Sequence, residues 1–305
     1  MTLTPAAATP AATGGQPLRG SLQIVHPGPS ATVQDLGRPG LAALGVGRSG
    51  AADRRSLRLA NRLVGNPEGA AAVEITFGGL AARFDRPALV AVTGAPCPVR
   101  VGDRAAGMNG PVRVPPGAEL RVGTPTSGMR SYLAVRGGID VPPVLHARAT
   151  DTLAGLGPSP LAPGTVLPIG SDALAYPTVD LAPQPGYPDQ PVLRVVPGPR
   201  DDWFTGDALA TLCSVPYEVT SDSNRVGLRL AGPALRRRDA RELPPEPMVD
   251  GALQVPPSGQ PILFLADHPV TGGYPVVAVV VEDDLHLAAQ TRPGQRIRFR
   301  PDDGR

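Results

Sequence analysis

The segment LQIVHPGP at residues 22–29 recurs in the second half of the chain as VLRVVPGP at residues 192–199. Both segments are apolar runs that end on a Pro-Gly-Pro turn, and a short helical pattern followed by strand-like runs comes after each of them. The repetition predicts two related β-rich lobes, for which a chain of 305 residues is long enough. An accidental match over so short a segment is the alternative.

Short strand-like runs fill the sequence between residues 71 and 139, among them AVEITF, ALVAVTG, ELRV and SYLAVRG. The Asn109-Gly110 pair is typical of a hairpin turn. Many short strands with such turns predict a barrel or a sandwich, because a parallel sheet would need helical crossovers. The predicted fold class is therefore mainly β with a few short helices.

The predicted organisation is a disordered tail over residues 1–20, a first lobe over 21–141, a connecting segment over 142–190 and a second lobe over 191–300. The connecting segment is rich in Pro, Gly and Ala, with one possible strand at 165–169. Helices are predicted at three places: residues 54–64 with Asp53 as the N-cap, residues 207–212 with Thr205 as the cap, and residues 283–289.

Residues 26–53, HPGPSATVQDLGRPGLAALGVGRSGAAD, show neither strand nor helix periodicity. A loop of this length inside a compact domain is uncommon unless it has a function. We expect an ordered, glycine-rich loop that holds Gln34, Asp35 and Arg38 in a cleft. A surface loop with ordinary turns is the alternative.

A second cluster of polar residues and glycines lies between strongly apolar strands of the second half. Gly272 and Gly273 stand at a strand entrance, where glycine lets the backbone approach a ligand. A hairpin with ordinary glycines is the alternative. The cluster contains Gln254, Ser258, Gln260, Asp267, His268, Thr271, Gly272, Gly273 and Tyr274.

Composition excludes several chemistries. All 29 basic residues are arginine, so the chain has no lysine for a Schiff base, a phosphate-binding loop or biotin attachment. The net charge of +2 gives no reason to expect nucleic acid or an anionic membrane as partner. Cys97 and Cys213 belong to no CxxC pair, which favours buried free thiols in a reducing cytoplasm. No apolar run is long enough to span a membrane, and no segment resembles a signal peptide.

The sequence also argues against a metal site and a serine hydrolase. The four histidines form no HxH, HxxxH or HExxH pattern, so we expect no metal ligands. No G-x-S-x-G elbow follows a strand; Ser49 in RSGA comes nearest, but Ala51 stands in place of the last glycine.

Four motifs carry a specific resemblance. TVQDLGRPG (32–40), SGAAD (49–53), GALQVPPSGQPI (251–262) and ADHPVTGGYP (266–275) together resemble the biotin-dependent carboxyltransferase family. This family includes a 5-oxoprolinase subunit, the second subunit of allophanate-hydrolase-like proteins and the carboxyltransferase part of urea carboxylase. The resemblance extends from about residue 22 to residue 299 in the family order, and it implies two cyclophilin-like β-barrel lobes.

The chain departs from the family pattern at three places. GVGRSGAAD stands where GVPxSGAMD is common, so Gly47, beside Arg48, and Ala52 occupy altered positions. SDSNRVGLRL carries Ser-Asn before Arg225, and His268 and Pro269 replace the more usual Arg and Gln. These differences leave the expected fold unchanged and the substrate open.

The resemblance implies a cytoplasmic subunit that acts beside a sister protein of the allophanate hydrolase subunit 1 type and a third, deacetylase-like subunit. The expected activity is ATP-dependent opening of 5-oxoproline to glutamate. ATP would be used by the complex and no cofactor would be bound by this chain. The alternatives are carboxyl transfer to urea or a related amide, with biotin carried on another chain, and a non-catalytic regulator that binds a kinase-inhibitor sister protein.

Both chemistries develop negative charge on an amide or carboxyl oxygen and require a proton to move at nitrogen. We therefore expect arginines at a substrate carboxylate and amide side chains at a lactam or urea edge. A structural role in a turn or an ion pair is the alternative for each residue. The predicted catalytic residues are Asp35, Asp267 and Tyr274; the predicted substrate-binding residues are Gln34, Arg38, Ser49, Arg225, Gln254, Thr271, Gly272 and Gly273.

Overall fold

The computed structural model describes residues 20–238, 241 and 243–304. Within them the chain is mainly β and forms two lobes, as predicted, each with its own buried apolar core. The predicted tail falls almost entirely on residues outside the described part.

The first lobe consists of two antiparallel sheets packed face to face. The larger sheet contains, in spatial order, β11 (Val166–Pro168), β1 (Ser21–Pro27), β4 (Leu80–Phe84), β9 (Glu119–Val122), β6 (Val99–Val101) and β7 (Arg104–Ala106). The smaller sheet contains β2 (Ser30–Gln34), β3 (Ala72–Thr76), β10 (Arg130–Val135), β5 (Ala88–Gly94) and β8 (Pro111–Val114). Side chains such as Ile24, Ile75 and Leu133 are fully buried between the sheets.

Two features of this lobe differ from the sequence prediction. Residues 30–34 form strand β2 within the segment predicted to be a loop. Its SATVQ sequence does not alternate because four of its five residues are buried, which removes the period-2 signal. Asn109-Gly110 is not a hairpin turn, since β7 and β8 on either side of it belong to different sheets. The hairpin lies at Gly102, which has φ +55° between the paired strands β6 and β7.

The second lobe is a closed barrel. Its strands are, in order around the barrel, β12 (Val192–Pro197), β19 (Val276–Val280), β16 (Ala252–Gln254), β17 (Ile262–Phe264), β14 (Gly227–Ala231), β13 (Tyr217–Val219) and β20 (Arg296–Pro301). β12 and β20 pair in parallel, which joins the two ends of the lobe and closes the barrel. A separate pair is formed by β15 (Glu246–Pro247) and β18 (Thr271–Gly272).

Three α-helices are present in the described residues. α1 (Arg54–Leu63) begins as predicted, with the Asp53 side chain accepting from Ser56 N at 2.9 Å. α2 (Ala208–Ser214) follows Asp207, so the predicted cap at Thr205 is wrong; the Thr205 hydroxyl instead donates to the Arg236 carbonyl at 3.4 Å. A 3-10 turn, Glu282–Asp284, leads into α3 (Leu285–Gln290).

The connecting segment has two parts. β11, predicted at residues 165–169, is an edge strand of the first lobe because it pairs with β1. Residues 171–190 contain neither strand nor helix and lie against the first lobe. There Leu174 N donates to Gly65 O at 2.7 Å, and Ala182 N donates to Asn109 O at 2.7 Å.

A buried ion cluster joins the lobes. Arg225, which precedes β14, donates from Nε and Nη2 to Asp267 at 3.0 Å and also hydrogen-bonds Glu74 on β3 of the first lobe. The second oxygen of Glu74 accepts from Tyr132 Oη at 2.7 Å and from Ala52 N at 3.0 Å. Burial alone would raise the pKa of Glu74, but the nearby guanidinium groups of Arg225 and Arg130 hold it below its usual value.

Gln290 at the end of α3 forms a second contact between the lobes. Its side-chain oxygen accepts from Met129 N and Arg130 N, both at 2.8 Å. Its Nε2 donates to Asp53 Oδ2 and to Arg130 O, also at 2.8 Å. One amide side chain therefore ties the barrel to β10 and to the cap of α1.

Replacing Arg225 with Met should destabilise the protein by about 3–5 kcal/mol, because Glu74 and Asp267 would remain buried without their shared cation. Urea unfolding measures this difference. Arg229→Met is the matched control, since Arg229 is exposed on β14 and its loss should change the free energy of unfolding by less than about 0.5 kcal/mol. Equal stability of the two variants would contradict a structural role for the cluster.

Candidate functional site

The cleft between the lobes contains two cavities that share part of their walls. The first has a volume of about 780 Å³ and the second about 510 Å³. Arg54, at the start of α1 in the first lobe, lines both. So do Asp250, Glu282 and Leu285 of the second lobe. Clefts of this size between two structural units are typical of small-molecule sites.

The two cavities meet at an ion pair that crosses the cleft. Arg54 Nη2 lies 2.7 Å from Asp250 Oδ2, and the two side chains are only 13% and 17% exposed. Asp250 also contacts His268, whose Nε2 lies 3.2 Å from Oδ1. Burial opposes ionisation of Asp250, but His268 and Arg54 together hold its pKa below the usual value.

His268 is placed to carry a positive charge. Its Nδ1 lies 2.8 Å from the carbonyl oxygen of Pro269, and its Nε2 faces the Asp250 carboxylate. Two acceptors, one at each ring nitrogen, favour the doubly protonated ring. Burial alone would lower the pKa of His268, but the contacts with Asp250 and Pro269 raise it above 6.5. These contacts therefore favour the charged ring at a position where the family pattern more usually has arginine.

The second cavity combines arginines with apolar walls. Arg38 and Arg48 contribute from the loop between β2 and α1. The second lobe contributes Met248, Val249 and Val270. A charged side and an apolar side in one small cavity suit a ligand with both kinds of surface.

Three of the predicted site residues come together, but outside these cavities. Ser49 Oγ donates to Asp267 Oδ1 at 2.7 Å, and Arg225 donates to both Asp267 oxygens. Thr152 Oγ1 and N also donate to Asp267 Oδ2, at 2.7 and 3.0 Å. Burial would raise the pKa of Asp267, but Arg225 lowers it. The loops of the two lobes therefore meet here, around a carboxylate whose two oxygens are both occupied.

The other predicted residues of the first-lobe loop have local partners. Gln34 is fully buried and donates to Thr32 Oγ1 at 3.0 Å and to Thr150 O at 2.9 Å. Asp35 accepts from Gly37 N at 2.8 Å and from Arg148 N at 2.6 Å, which holds the turn. Arg38 is the one predicted residue that lines either cavity.

The predicted residues of the second-lobe cluster lie beside the cleft. Gln254 is buried and donates to the carbonyl oxygen of Tyr274 at 3.1 Å. Gly272 forms part of β18, and a Cβ at this position would lie 2.4 Å from Gln254 Nε2. Thr271 and Tyr274 are both exposed. Gly273 lines neither cavity. The catalytic and binding roles predicted for these residues stay predictions.

Sequence reasoning missed Arg54 and Asp250, although the sequence contains a signal for one of them. Arg54 and Arg55 directly follow the Asp53 cap, in the first turn of α1. The helix dipole disfavours cations there, so two arginines at this place point to a role outside the helix. Asp250 gives no such signal, because an aspartate before a glycine is ordinary in a turn.

Among the described residues, no three His, Cys, Asp or Glu side chains are grouped as metal ligands would be. Within the same ranges both cysteines are free and partly buried, and none of the helices has the length and apolar character needed to cross a bilayer.

The His268–Asp250 contact predicts a pH-dependent contribution to stability. Because the folded pKa of His268 is raised, the contribution should be complete below about pH 6.5 and lost as pH rises through the folded pKa. Unfolding free energies of the wild type and His268→Gln, measured from about pH 5 to about pH 9, should differ by about 1–2 kcal/mol at the acid end and converge at the alkaline end. A difference that does not change with pH would show that the imidazolium is not the stabilising form.

Comparison with known proteins agrees with the resemblance carried by the four motifs. The family described as carboxyltransferase domain, subdomain A and B, matches residues 44–301. A 5-oxoprolinase subunit of Escherichia coli (strain K12) is 39% identical over 281 residues, which cover 91% of this chain and 90% of the relative.

Two solved structures have the same architecture over nearly the whole chain. The protein TTHA0988 is 37% identical with a TM-score of 0.84, and the match covers 94% of this chain and 57% of that one. The urea carboxylase of Kluyveromyces lactis is 30% identical with a TM-score of 0.84 and coverages of 94% and 28%. Both are longer proteins, of which this chain corresponds to one part. The chain therefore belongs to the carboxyltransferase domain family, subdomains A and B, and is similar to a 5-oxoprolinase subunit over nearly its whole length.

Proposed function

We propose that this chain is the carboxyltransferase-type subunit of an ATP-dependent 5-oxoprolinase, which opens 5-oxoproline to glutamate together with sister subunits. The observation that carries the proposal is the cleft between the lobes, where two cavities meet at the Arg54–Asp250 ion pair. The 39% identity to a 5-oxoprolinase subunit supports the choice of substrate.

The cleft has the charges that ring opening requires. Breaking the lactam C–N bond develops negative charge on the carbonyl oxygen, and the leaving nitrogen must gain a proton. Arg54 and the His268 imidazolium place two cations beside one carboxylate in a partly closed cleft, where electrostatic stabilisation is stronger than in water. Asp250 orients both cations, and this arrangement is the chain's own contribution to the reaction.

ATP is used elsewhere in the complex. The sequence has no phosphate-binding loop and no lysine to hold a phosphate chain. We therefore assign ATP to the sister subunits, one of the allophanate hydrolase subunit 1 type and one deacetylase-like. This chain binds no cofactor in this proposal, and biotin enters only if another chain carries it. The two free thiols accord with work in a reducing cytoplasm.

The test is reconstitution. The full chain is co-purified with its two sister subunits, and glutamate release from 5-oxoproline is followed with and without ATP. ATP-dependent release that requires this chain supports the proposal. Release that proceeds equally well without it, or bicarbonate-dependent carboxylation of urea by a biotin-bearing partner in its place, overturns it.

Asp250→Asn should lower kcat/KM for 5-oxoproline in this complex by at least roughly tenfold, because Arg54 and His268 would lose their common anionic partner. Asp222→Asn is the control, as Asp222 is exposed in the loop before Arg225 and its change should leave kcat/KM within about twofold of wild type. Thermal unfolding of both variants verifies that each is folded. Wild-type turnover by a folded Asp250→Asn variant would remove the ion pair from the mechanism.

A further inference from the structure

We infer that the second cavity binds the carboxylate of a small cyclic amide acid, with Arg48 in contact with the carboxylate and Arg38 as the buried cation behind it. The inference deepens the proposed function and rests on it for the identity of the ligand, 5-oxoproline. The chemical class of the ligand is inferred from the charge and shape of the cavity alone.

Arg38 is a buried cation that lacks an anionic partner. Its side chain is among the largest fully buried ones, with 2% exposure for the residue. Nε donates to Val144 O at 3.1 Å and Nη2 donates to Ala149 O at 2.5 Å, so the guanidinium is fixed by neutral groups. Nη1 has no hydrogen-bond partner. Burying a charge in this way is costly unless an anion approaches it.

Arg48 stands next to Arg38 across the loop. Arg38 N donates to Arg48 O at 2.7 Å, so the two side chains start from adjacent points of the backbone. The Arg48 side chain is half-buried, and its one hydrogen bond is a long one of 3.4 Å from Nε to Leu36 O. Burial and the neighbouring Arg54 lower the pKa of Arg48, and two carboxylates that line the same cavity offset only part of this effect.

Two other arginines between the lobes have carboxylate partners. Arg225 is paired with Glu74 and Asp267, and Arg54 is paired with Asp250. Over the described ranges, no carboxylate lies within 4.0 Å of the guanidinium nitrogens of Arg38 or Arg48. Two unpaired arginines in the wall of one cavity therefore form a site for an anion.

The remaining walls limit what the anion is. Met248, Val249 and Val270 give the cavity an apolar side, which suits a compact hydrocarbon ring. Glu282 and Asp250 also line the cavity and would repel a polyanion such as a nucleotide. A planar carboxylate matches the guanidinium fork. A monoanionic ring acid satisfies all three conditions.

Binding to the full chain alone tests the inference, because the two arginines and the apolar wall all belong to this chain. Isothermal titration calorimetry is run with 5-oxoproline, with 2-pyrrolidinone, which is the same lactam without the carboxylate, and with inorganic phosphate. We expect 5-oxoproline to bind and 2-pyrrolidinone to bind at least roughly tenfold more weakly. Phosphate that binds as tightly as 5-oxoproline would overturn the assignment to a lactam acid.

The variant that tests the contact is Arg48→Met, which keeps an unbranched apolar stem and removes the guanidinium group with its charge. Arg48 holds one long hydrogen bond, so the variant is expected to fold. Its affinity for 5-oxoproline should fall by roughly tenfold to a hundredfold, with no change for 2-pyrrolidinone. Arg113→Met, at an exposed arginine of β8, is the control and should bind as wild type does. Equal affinities of Arg48→Met and Arg113→Met would overturn the inference.

Kinetics in the reconstituted complex separate this inference from the proposed function. Arg48→Met should raise KM for 5-oxoproline with little change in kcat, since a carboxylate contact is present in the ground state and the transition state alike. If the complex turns over 5-oxoproline and the KM of Arg48→Met equals that of wild type, the subsite is wrong and the proposed function stands. If the complex releases no glutamate while the isolated chain still binds 5-oxoproline through Arg48, the proposed function fails and the subsite stands.

Discussion

The rest of the structure depends on one guanidinium that two carboxylates share. Arg225 belongs to the second lobe, Glu74 belongs to the first, and both are almost completely excluded from water. A buried charge separated from its partner is far more costly than an exposed one, so the lobes cannot part at this point without a large penalty. The cluster therefore fixes the width of the cleft, and the two cavities exist before any ligand arrives. A preformed site binds more tightly because less ordering accompanies binding.

The motif residues build this frame more than they line the cleft. Gly37 and Gly50 both have positive φ, and a Cβ on Gly50 would lie 2.7 Å from Gly37 N. Glycine at this position lets two stretches of the loop approach closely, so that Ser49 reaches Asp267. The conspicuous SGAAD and TVQDLGRPG motifs thus encode backbone shape and contact between the lobes. The cavity walls come from less conspicuous residues, such as Arg54 and Asp250.

The separation between motif residues and cavity residues explains which features could be predicted from the sequence. Period-2 runs and glycine turns predicted the β-rich lobes, because strand patterns are local. Strand β2 was not predicted because both of its faces are covered, which removes the alternating pattern. The hairpin predicted at Asn109-Gly110 was wrong because turn chemistry does not show which sheet the next strand joins. The pairing of Arg225 with Glu74 could not be predicted either, because it too depends on how distant strands are arranged. Glu74 lies 151 residues away, and no spacing rule connects them.

The charges of the cleft help to distinguish two reactions of the family, ring opening of a lactam acid and carboxyl transfer to urea. Urea is neutral and offers amide donors and a carbonyl oxygen, so urea alone would leave the positive charges of Arg38 and Arg48 uncompensated, and the carboxyl group to be transferred would be the anion beside them. A ring acid neutralises part of that charge and covers the apolar wall beside it. The departure from the family pattern at Gly47, next to Arg48, lies in this wall, whereas Ser49 and Asp267, which meet between the lobes, lie within the motifs. The frame is therefore compatible with either chemistry, and the second cavity suits a ring acid better than it suits urea alone.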